Sequence, residues 1–397
     1  MTVSNQFYEQ NGTIYRPNES VGLYISPADK LDQLSRPKRA HVLQNRIHYA
    51  LSDYLNGREI HHLESIVTLM YEFEMNVTST DPLELITTYY RNEANVDSIC
   101  NKHVTINPRP FVDEEYESNY LEHKLQRLVS TVQELDKFLS GAYLHGSFAD
   151  GKYVRNYSDL DLLFILNTDT ATNVQKIENL HEKLKTLIPH YYFIDPHQHH
   201  GPVVIAEQDL NTYNRVYLPP VALSQGCSLF ECDPLTFRIR EDELERINGF
   251  WRVLQTLRRT TIDEEFPSRF GGDFLTARQT GPLYCLKHFT SLVMLLPSLY
   301  ATAIGYPVYK AQSFSLPILS KIDEYGILDR CTNVRSAYPE VVSFDRSRRY
   351  RAMLESDPEL ARRNMQNLEV PERLWQLLGK DYFEHALYLA EQLWIRI

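Results

Sequence analysis

The chain predicts an α/β (α+β) protein in which a small mixed sheet lies between a helical N-terminal region and a mainly helical C-terminal domain. Three observations carry that expectation. Apolar residues recur at helical spacing through most of residues 27–139, strand-like runs alternate with an amphipathic helix between 141 and 210, and the helical period returns beyond 223. The expected units are therefore 1–119, 120–222 and 223–397.

Taken in order, RAHVLQNRIHYALSDYL and HHLESIVTLMYEFEM read as amphipathic helices separated by Asn56-Gly57. NPRPFVDEEYESN, with two prolines and an acidic cluster, reads as a linker. In EHKLQRLVSTVQELDKFLS the stripe Leu125, Leu128, Val132, Leu135 and Leu139 predicts a helix leading directly into AYLHGS. Tyr143–His145 is expected as a short strand end and Leu160–Leu166 as a stronger strand. NVQKIENLHEKLKTLI follows as a helix, with Val174, Ile177, Leu180, Leu184 and Leu187 on one side. HYYFID and VVIAE then read as strands because aromatic and branched residues dominate them. In the C-terminal third, Leu244, Ile247, Trp251, Leu254 and Leu257 share a helix face. Further helices are expected in GPLYCLKHFTSLVMLLPSLY, SLPILSKIDEYG and the last 25 residues, with the Trp251 and Trp394 stripes in the core. The apolar run Phe289–Val308 reads as a buried helix broken at Pro297 rather than a membrane span.

Bulk properties narrow the function. The net charge of -11, from 41 basic and 52 acidic residues, argues against a general nucleic-acid binder, although a local basic surface could still dock one. DRSRRYRAM, where Arg346, Arg348, Arg349 and Arg351 surround Tyr350, is the best candidate for such a surface, and a solvated helix face explains it equally well. Cys100, Cys227, Cys232, Cys285 and Cys331 are scattered, odd in number and free of any CxxC pair, as expected of reduced thiols in a cytoplasmic protein. The polar opening residues lack the basic-then-apolar order of a secretory signal.

The chemistry concentrates in LHGSFADGKYVRNYSDLDLLFIL, residues 144–166. Residues two apart on a strand project to the same side, so Asp159 and Asp161 share a face opposite Leu160 and Leu162. Two such anions repel, and a divalent metal is the simplest neutraliser. Magnesium binds through one or two carboxylates plus substrate phosphates, so the pair is half a site that a nucleoside triphosphate completes. Gly146 lets backbone approach a phosphate closely, and the Ser147 hydroxyl can donate to its oxygens.

Gly146-Ser147, a gap of about a dozen residues, and then Asp159-Leu160-Asp161 among apolar neighbours resembles the signature of the DNA polymerase β-like nucleotidyltransferase superfamily, over roughly residues 141 to 210. That superfamily includes polymerases, CCA-adding enzymes and antibiotic nucleotidyltransferases. The resemblance implies a nucleotidyltransferase core with a third carboxylate on a following strand. Asp195 is the expected residue, with Glu207 and Asp209 as rivals. It further implies two Mg2+ ions, with Mn2+ the alternative, held by Asp159, Asp161 and Asp195.

The implied reaction moves a nucleoside monophosphate from a nucleoside triphosphate, ATP by default, to a hydroxyl of a small molecule or protein, releasing pyrophosphate. Asp195 could also accept the proton of the attacking hydroxyl. A tRNA or other nucleic-acid acceptor ranks third, and a catalytically silent nucleotide sensor is the reading from a different class. Lys152 and Arg155 are placed to reach the triphosphate tail. Lys287 and Lys310, the latter with Ser313 three residues on, are similar to the lysine that relatives supply from the following helical domain. In HQHHG, His197, His199 and His200 are read as exposed loop histidines, with a place near the substrate as the next reading and ligation of a transition metal the least favoured.

Overall fold

The computed structural model describes residues 8–10, 13–15, 35–92, 100, 102–112, 119–195, 197–198, 200–213, 218–230, 234–239, 243–267, 274–342, 348–358, 360–361, 364 and 368–397. The expectations for Cys232, His199 and Arg346 fall outside these residues.

Three helices open the described chain. α1 (Arg36–Leu55) starts with Pro37 in its first turn, where a missing N–H costs nothing, and stops at Asn56 followed by Gly57 in the left-handed region. α2 (Leu63–Glu72) and α3 (Pro82–Asn92) pack on α1. A short strand, β1 (Lys102–Ile106), and the two-residue β2 (Arg109–Pro110) follow, then α4 (Asn119–Gln133) and β3 (Leu139–His145). β3 is longer than the strand end expected at Tyr143–His145. The preceding helix stops at Gln133, so Leu139 at the end of the supposed helical stripe opens the strand.

A single turn of helix, α5 (Gly146–Ala149), links β3 by way of the 150–160 loop to β4 (Asp161–Leu166). α6 (Val174–Lys185) begins at Asn173, whose side chain accepts the Lys176 N–H at 3.2 Å, and it buries Ile177, Leu180 and Leu184. α7 (Ile188–Ile194) and β5 (Val203–Ala206) complete the middle third. Here the expectation fails: HYYFID is helical through Ile194. Tyr191, Tyr192, Phe193 and Ile194 are all buried, Tyr191 and Ile194 in the N-terminal core and Tyr192 and Phe193 in the C-terminal one. A run that is apolar on every side carries no period, and Pro189 in the first turn suits a helix start.

With β6 (Cys227–Ser228) the five-stranded sheet has the order β2-β6-β3-β4-β5, in which β3 and β4 are antiparallel and β4 and β5 parallel. β7 (Leu235–Ile239) pairs with β1 to form a second layer. One sheet face, with Leu144, Leu162, Phe164 and Val204, packs on α1 to α4 and α6, and the other, with Tyr143, Leu163, Ile165 and Ile205, packs under β7. The sheet draws in Arg109–Pro110 from before residue 119 and Cys227–Ser228 from beyond 222.

The C-terminal helices α8 (Glu243–Asp263), α9 (Pro282–Val293), α10 (Leu296–Ala303), α11 (Lys310–Ser313), α12 (Ile327–Val341), α13 (Arg348–Ser356) and α14 (Tyr382–Trp394) build a separate core. The apolar run around Pro297 divides between α9 and α10, and among the described residues no helix is long and apolar enough to cross a membrane. Trp251 and Trp394 meet at a tilt, their ring centroids 4.9 Å apart, at the edge of this core. In the arginine-rich stretch, Arg349 is exposed while Tyr350 is buried and donates to the Tyr192 carbonyl at 3.3 Å, so this tyrosine anchors α13 to α7.

The 150–160 loop joins the two units. Asn156 donates to the Val342 carbonyl at 2.7 Å, and the Tyr157 hydroxyl meets Thr290 of α9 at 2.9 Å. This docking brings α9 and α11 up to the ends of β3 and β4.

Candidate active site

His145, the last residue of β3, and Asp161, the first of β4, are register partners, so their side chains stand together on one face at the sheet's edge. The chain then turns sharply at Gly146, whose φ is +67°. A Cβ on Gly146 would lie 2.1 Å from Asp161 Oδ2, so only glycine permits the turn and the carboxylate to touch. Ser147 is half-buried beside it. The two halves of the sequence motif therefore meet.

Asp159 lies just ahead of β4. Between the two aspartates, the Leu160 backbone is held by a residue that the sequence did not single out. Gln198 accepts the Leu160 N–H at 3.0 Å and donates to the Leu160 carbonyl at 3.1 Å, and it is fully buried. Its amide thus substitutes for a neighbouring strand at the point where β5 has not yet begun. Gln198 also donates to the His200 carbonyl at 2.8 Å.

The histidine loop is not the exposed segment expected of it. His197 is fully buried, and His200 turns its Nε2 to within 3.3 Å of Asp161 and 3.9 Å of Asp159. Asn56, at the end of α1, holds the following backbone by donating to the Pro202 carbonyl at 3.2 Å and filling the space beside Gly201. Burial pushes the Asp161 carboxyl up, but the hydrogen bond to His200 and the nearby His145 ring outweigh it and hold Asp161 below the usual carboxylate range. Burial works against charge on His200 as well, yet Asp161 and Asp159 together raise its affinity for a proton. His145 is nine-tenths buried, and its Nε2 has no hydrogen-bond partner.

Asp195 reaches the site from the C-terminal end of α7, not from a strand, which corrects the expectation of three carboxylates on two neighbouring strands. Its carboxylate has no exposed surface. Oδ1 accepts the His197 N–H at 2.9 Å and Oδ2 contacts the Lys287 ammonium. The same ammonium contacts Asp159 Oδ1, so Lys287 bridges the two acids from α9. Burial raises the Asp195 pKa, partly opposed by Lys287 and reinforced by Asp159. For Lys287 burial disfavours charge, but the two carboxylates prevail and raise its pKa.

The rival acids sit elsewhere. β5 runs parallel to β4 with Leu166 beside Ala206, so Glu207 and Asp209 lie a full strand length from Asp161, about 17 Å at the usual rise. Glu207 accepts from the Thr168 N–H and hydroxyl at 2.8 Å, and Asp209 accepts from Ala206 and Tyr90.

The two candidate lysines have separate fates. Lys287 is enclosed by acids, whereas Lys310 is half-buried within electrostatic reach of Asp161, Asp159 and Asp150. Burial, helped by Arg335, pushes the Lys310 pKa down to about 8. Tyr309 fixes the start of α11 by donating to Asp150 at 2.9 Å, and buried Ser313 turns its hydroxyl back to the Lys310 carbonyl at 2.6 Å. Lys152 and Arg155 are exposed. Arg335, which the sequence reading passed over, donates to the Lys152 carbonyl at 2.6 Å and adds a second fixed cation near Lys310.

Residues 125–210 match the family model described as a nucleotidyltransferase domain, in keeping with the polymerase β-like superfamily, and nucleotidyl transfer is the general activity that this match supports. No curated protein and no solved structure matches the chain.

Proposed function

We propose that this protein transfers a nucleoside monophosphate from a nucleoside triphosphate to a hydroxyl group of a small molecule or a protein, releasing pyrophosphate. The observation that carries this reading is the contact of the Gly146 turn with the Asp161 carboxylate, inside the segment that matches a nucleotidyltransferase domain. Phosphate and metal elements need that proximity, and an ordinary surface acid does not.

Asp159 and Asp161, whose side chains are 14% and 25% exposed, are the residues that would hold a divalent cation together with phosphate oxygens. Such a cation supplies Lewis-acid stabilisation of charge on the phosphoryl oxygens. The chain's own groups do the rest. The Gly146 backbone admits the phosphates, the Ser147 hydroxyl donates to them, and Lys310 with Arg335 neutralises the leaving pyrophosphate. His200, hydrogen-bonded to Asp161, orients that carboxylate. The acidic chain favours a small or protein acceptor over a nucleic acid.

The test is pyrophosphate release from each of the four triphosphates with Mg2+ or Mn2+, against small hydroxylated molecules and a protein panel. Activity that persists in Asp159→Asn or Asp161→Asn would remove the assignment. Binding of triphosphate without any release across the whole panel would favour a nucleotide sensor.

A further inference from the structure

Polymerase β-like sites are expected to gather three carboxylates around two ions, but only two of the three acids here have the surroundings of a metal ligand. A hydrated divalent ion keeps several waters, so its carboxylate ligands need an oxygen facing open space. Asp159 and Asp161 meet that condition; Asp195, with no exposed surface, does not. Both Asp195 oxygens are already engaged, one by the His197 N–H and the other by Lys287. Among the described residues, no three His, Cys, Asp or Glu side chains are arranged to hold a metal ion.

Lys287 supplies the missing positive charge. Its side chain is 3% exposed, and its ammonium contacts Asp159 and Asp195 together, the place where a second ion shared by those acids would have to sit. An ammonium and a dication cannot both occupy the space between the same two carboxylates without strong repulsion. The lysine stem is buried in α9, whose neighbouring residues Leu286 and Phe289 belong to the C-terminal core, so the ammonium cannot swing away without disturbing that packing.

We infer that Lys287 replaces one metal ion of a two-ion centre, so that the protein binds a single divalent cation on Asp159 and Asp161 and uses Asp195 as the buried anchor that positions Lys287. This rests on the proposed nucleotidyl-transfer reading. It assigns to Asp195 a positioning role through Lys287 rather than contact with the reacting atoms.

The experiment counts bound Mn2+ by equilibrium dialysis with electron paramagnetic resonance, using the full chain with Mn2+ alone and with each of four α,β-non-hydrolysable triphosphate analogues. The expected result is one Mn2+ per chain in the analogue complex, with no signal from a spin-coupled Mn2+ pair. Two ions per chain, or a coupled-pair signal, overturns the inference and leaves nucleotidyl transfer standing. No bound ion with any analogue overturns both. Asp195→Asn gives a second readout that does not depend on turnover. With its fold checked by near-UV circular dichroism, it should still bind one Mn2+, with affinity reduced by no more than the roughly 100-fold that loss of a group behind the ligands costs. Loss of detectable Mn2+ binding, as expected on removal of a true ligand, overturns the inference. Should that variant fail to fold, the ion count of the unaltered chain decides alone.

Discussion

Each end of the central strands holds an aspartate beside a histidine, and the two pairs have opposite characters. At the Asp209 end, His48 Nδ1 lies 3.8 Å from the carboxylate, Tyr90 donates its hydroxyl at 2.9 Å, and the Ala206 N–H closes the set at 2.7 Å, all out of contact with solvent. At the Asp161 end, His200 approaches to 3.3 Å, but the carboxylate is partly exposed, a glycine turn is pressed against it, and His145 Nε2 nearby has no partner. One cluster is sealed from solvent and ties α1 and α3 to the sheet, even though Asp209 Oδ1 has no hydrogen-bond partner there. The other keeps its two carboxylates partly exposed beside a glycine turn, where a ligand can reach them. The same residue pair is structure in one setting and chemistry in the other.

The largest expected contrast separates these ends by activity. Asp161→Asn should lower transfer on the order of 10³-fold, by analogy with losing a major electrostatic contact to the transition state, while its melting temperature falls only by the small amount that loss of the partly exposed His200 contact costs. Asp209→Ala should do the reverse. It strands a buried N–H and the Tyr90 hydroxyl at a cost of about 3 kcal/mol, read by urea unfolding, with turnover per folded molecule unchanged. Loss of turnover in the folded Asp209→Ala protein would mean that the far end takes part in the reaction after all.

Gly146→Ala sharpens the comparison from the glycine side. The left-handed backbone alone costs about 1–2 kcal/mol. The Cβ must also displace Asp161, so activity should fall about 100-fold, as for a misplacement near 1 Å. Full activity would show that the turn and the carboxylate need not touch.

The smallest effect is on pH dependence. Asp161 is depressed in the folded protein, so the stability it contributes is complete above its unfolded pKa and disappears as pH falls through the folded value. His200 is raised, so its contribution is complete below its unfolded pKa of about 6.5 and disappears as pH rises through the folded value. The pair therefore stabilises between those limits. His200→Gln should flatten the alkaline decline of melting temperature measured from near neutrality upward.

How much of this could be read from the residues depends on distance along the chain. Gly146, Ser147 and Asp159 lie in the connection between the adjacent strands β3 and β4, and Asp161 opens β4, so spacing and strand pairing bring them together. The family match over residues 125–210 bears out the resemblance drawn from those residues. HYYFI could not be assigned by period, because a run buried between two cores has no polar side to mark helix or strand. Gln198 left no signal, since a buried glutamine that imitates a strand looks like any loop glutamine. Lys287 and Lys310 were equal candidates because the sequence placed the first just ahead of an apolar helix and the second in the same helical domain, whereas Lys287 lies inside α9. Only the docking of Tyr157 against Thr290 and of Tyr309 against Asp150 places one among acids and the other at the mouth.

By itself, then, the sequence determined the local periods, and with them the helices that cover the sheet and the pairing of a glycine turn with two aspartates. Those depend on neighbours within a few residues, and alternation and turn chemistry act at that range. The tertiary structure alone decided which distant groups share the site: Lys287 from 128 residues beyond Asp159, Asp195 from a helix end, and Glu207 and Asp209 turned away. Such meetings are set by how two apolar cores dock, and no spacing along the chain encodes that geometry.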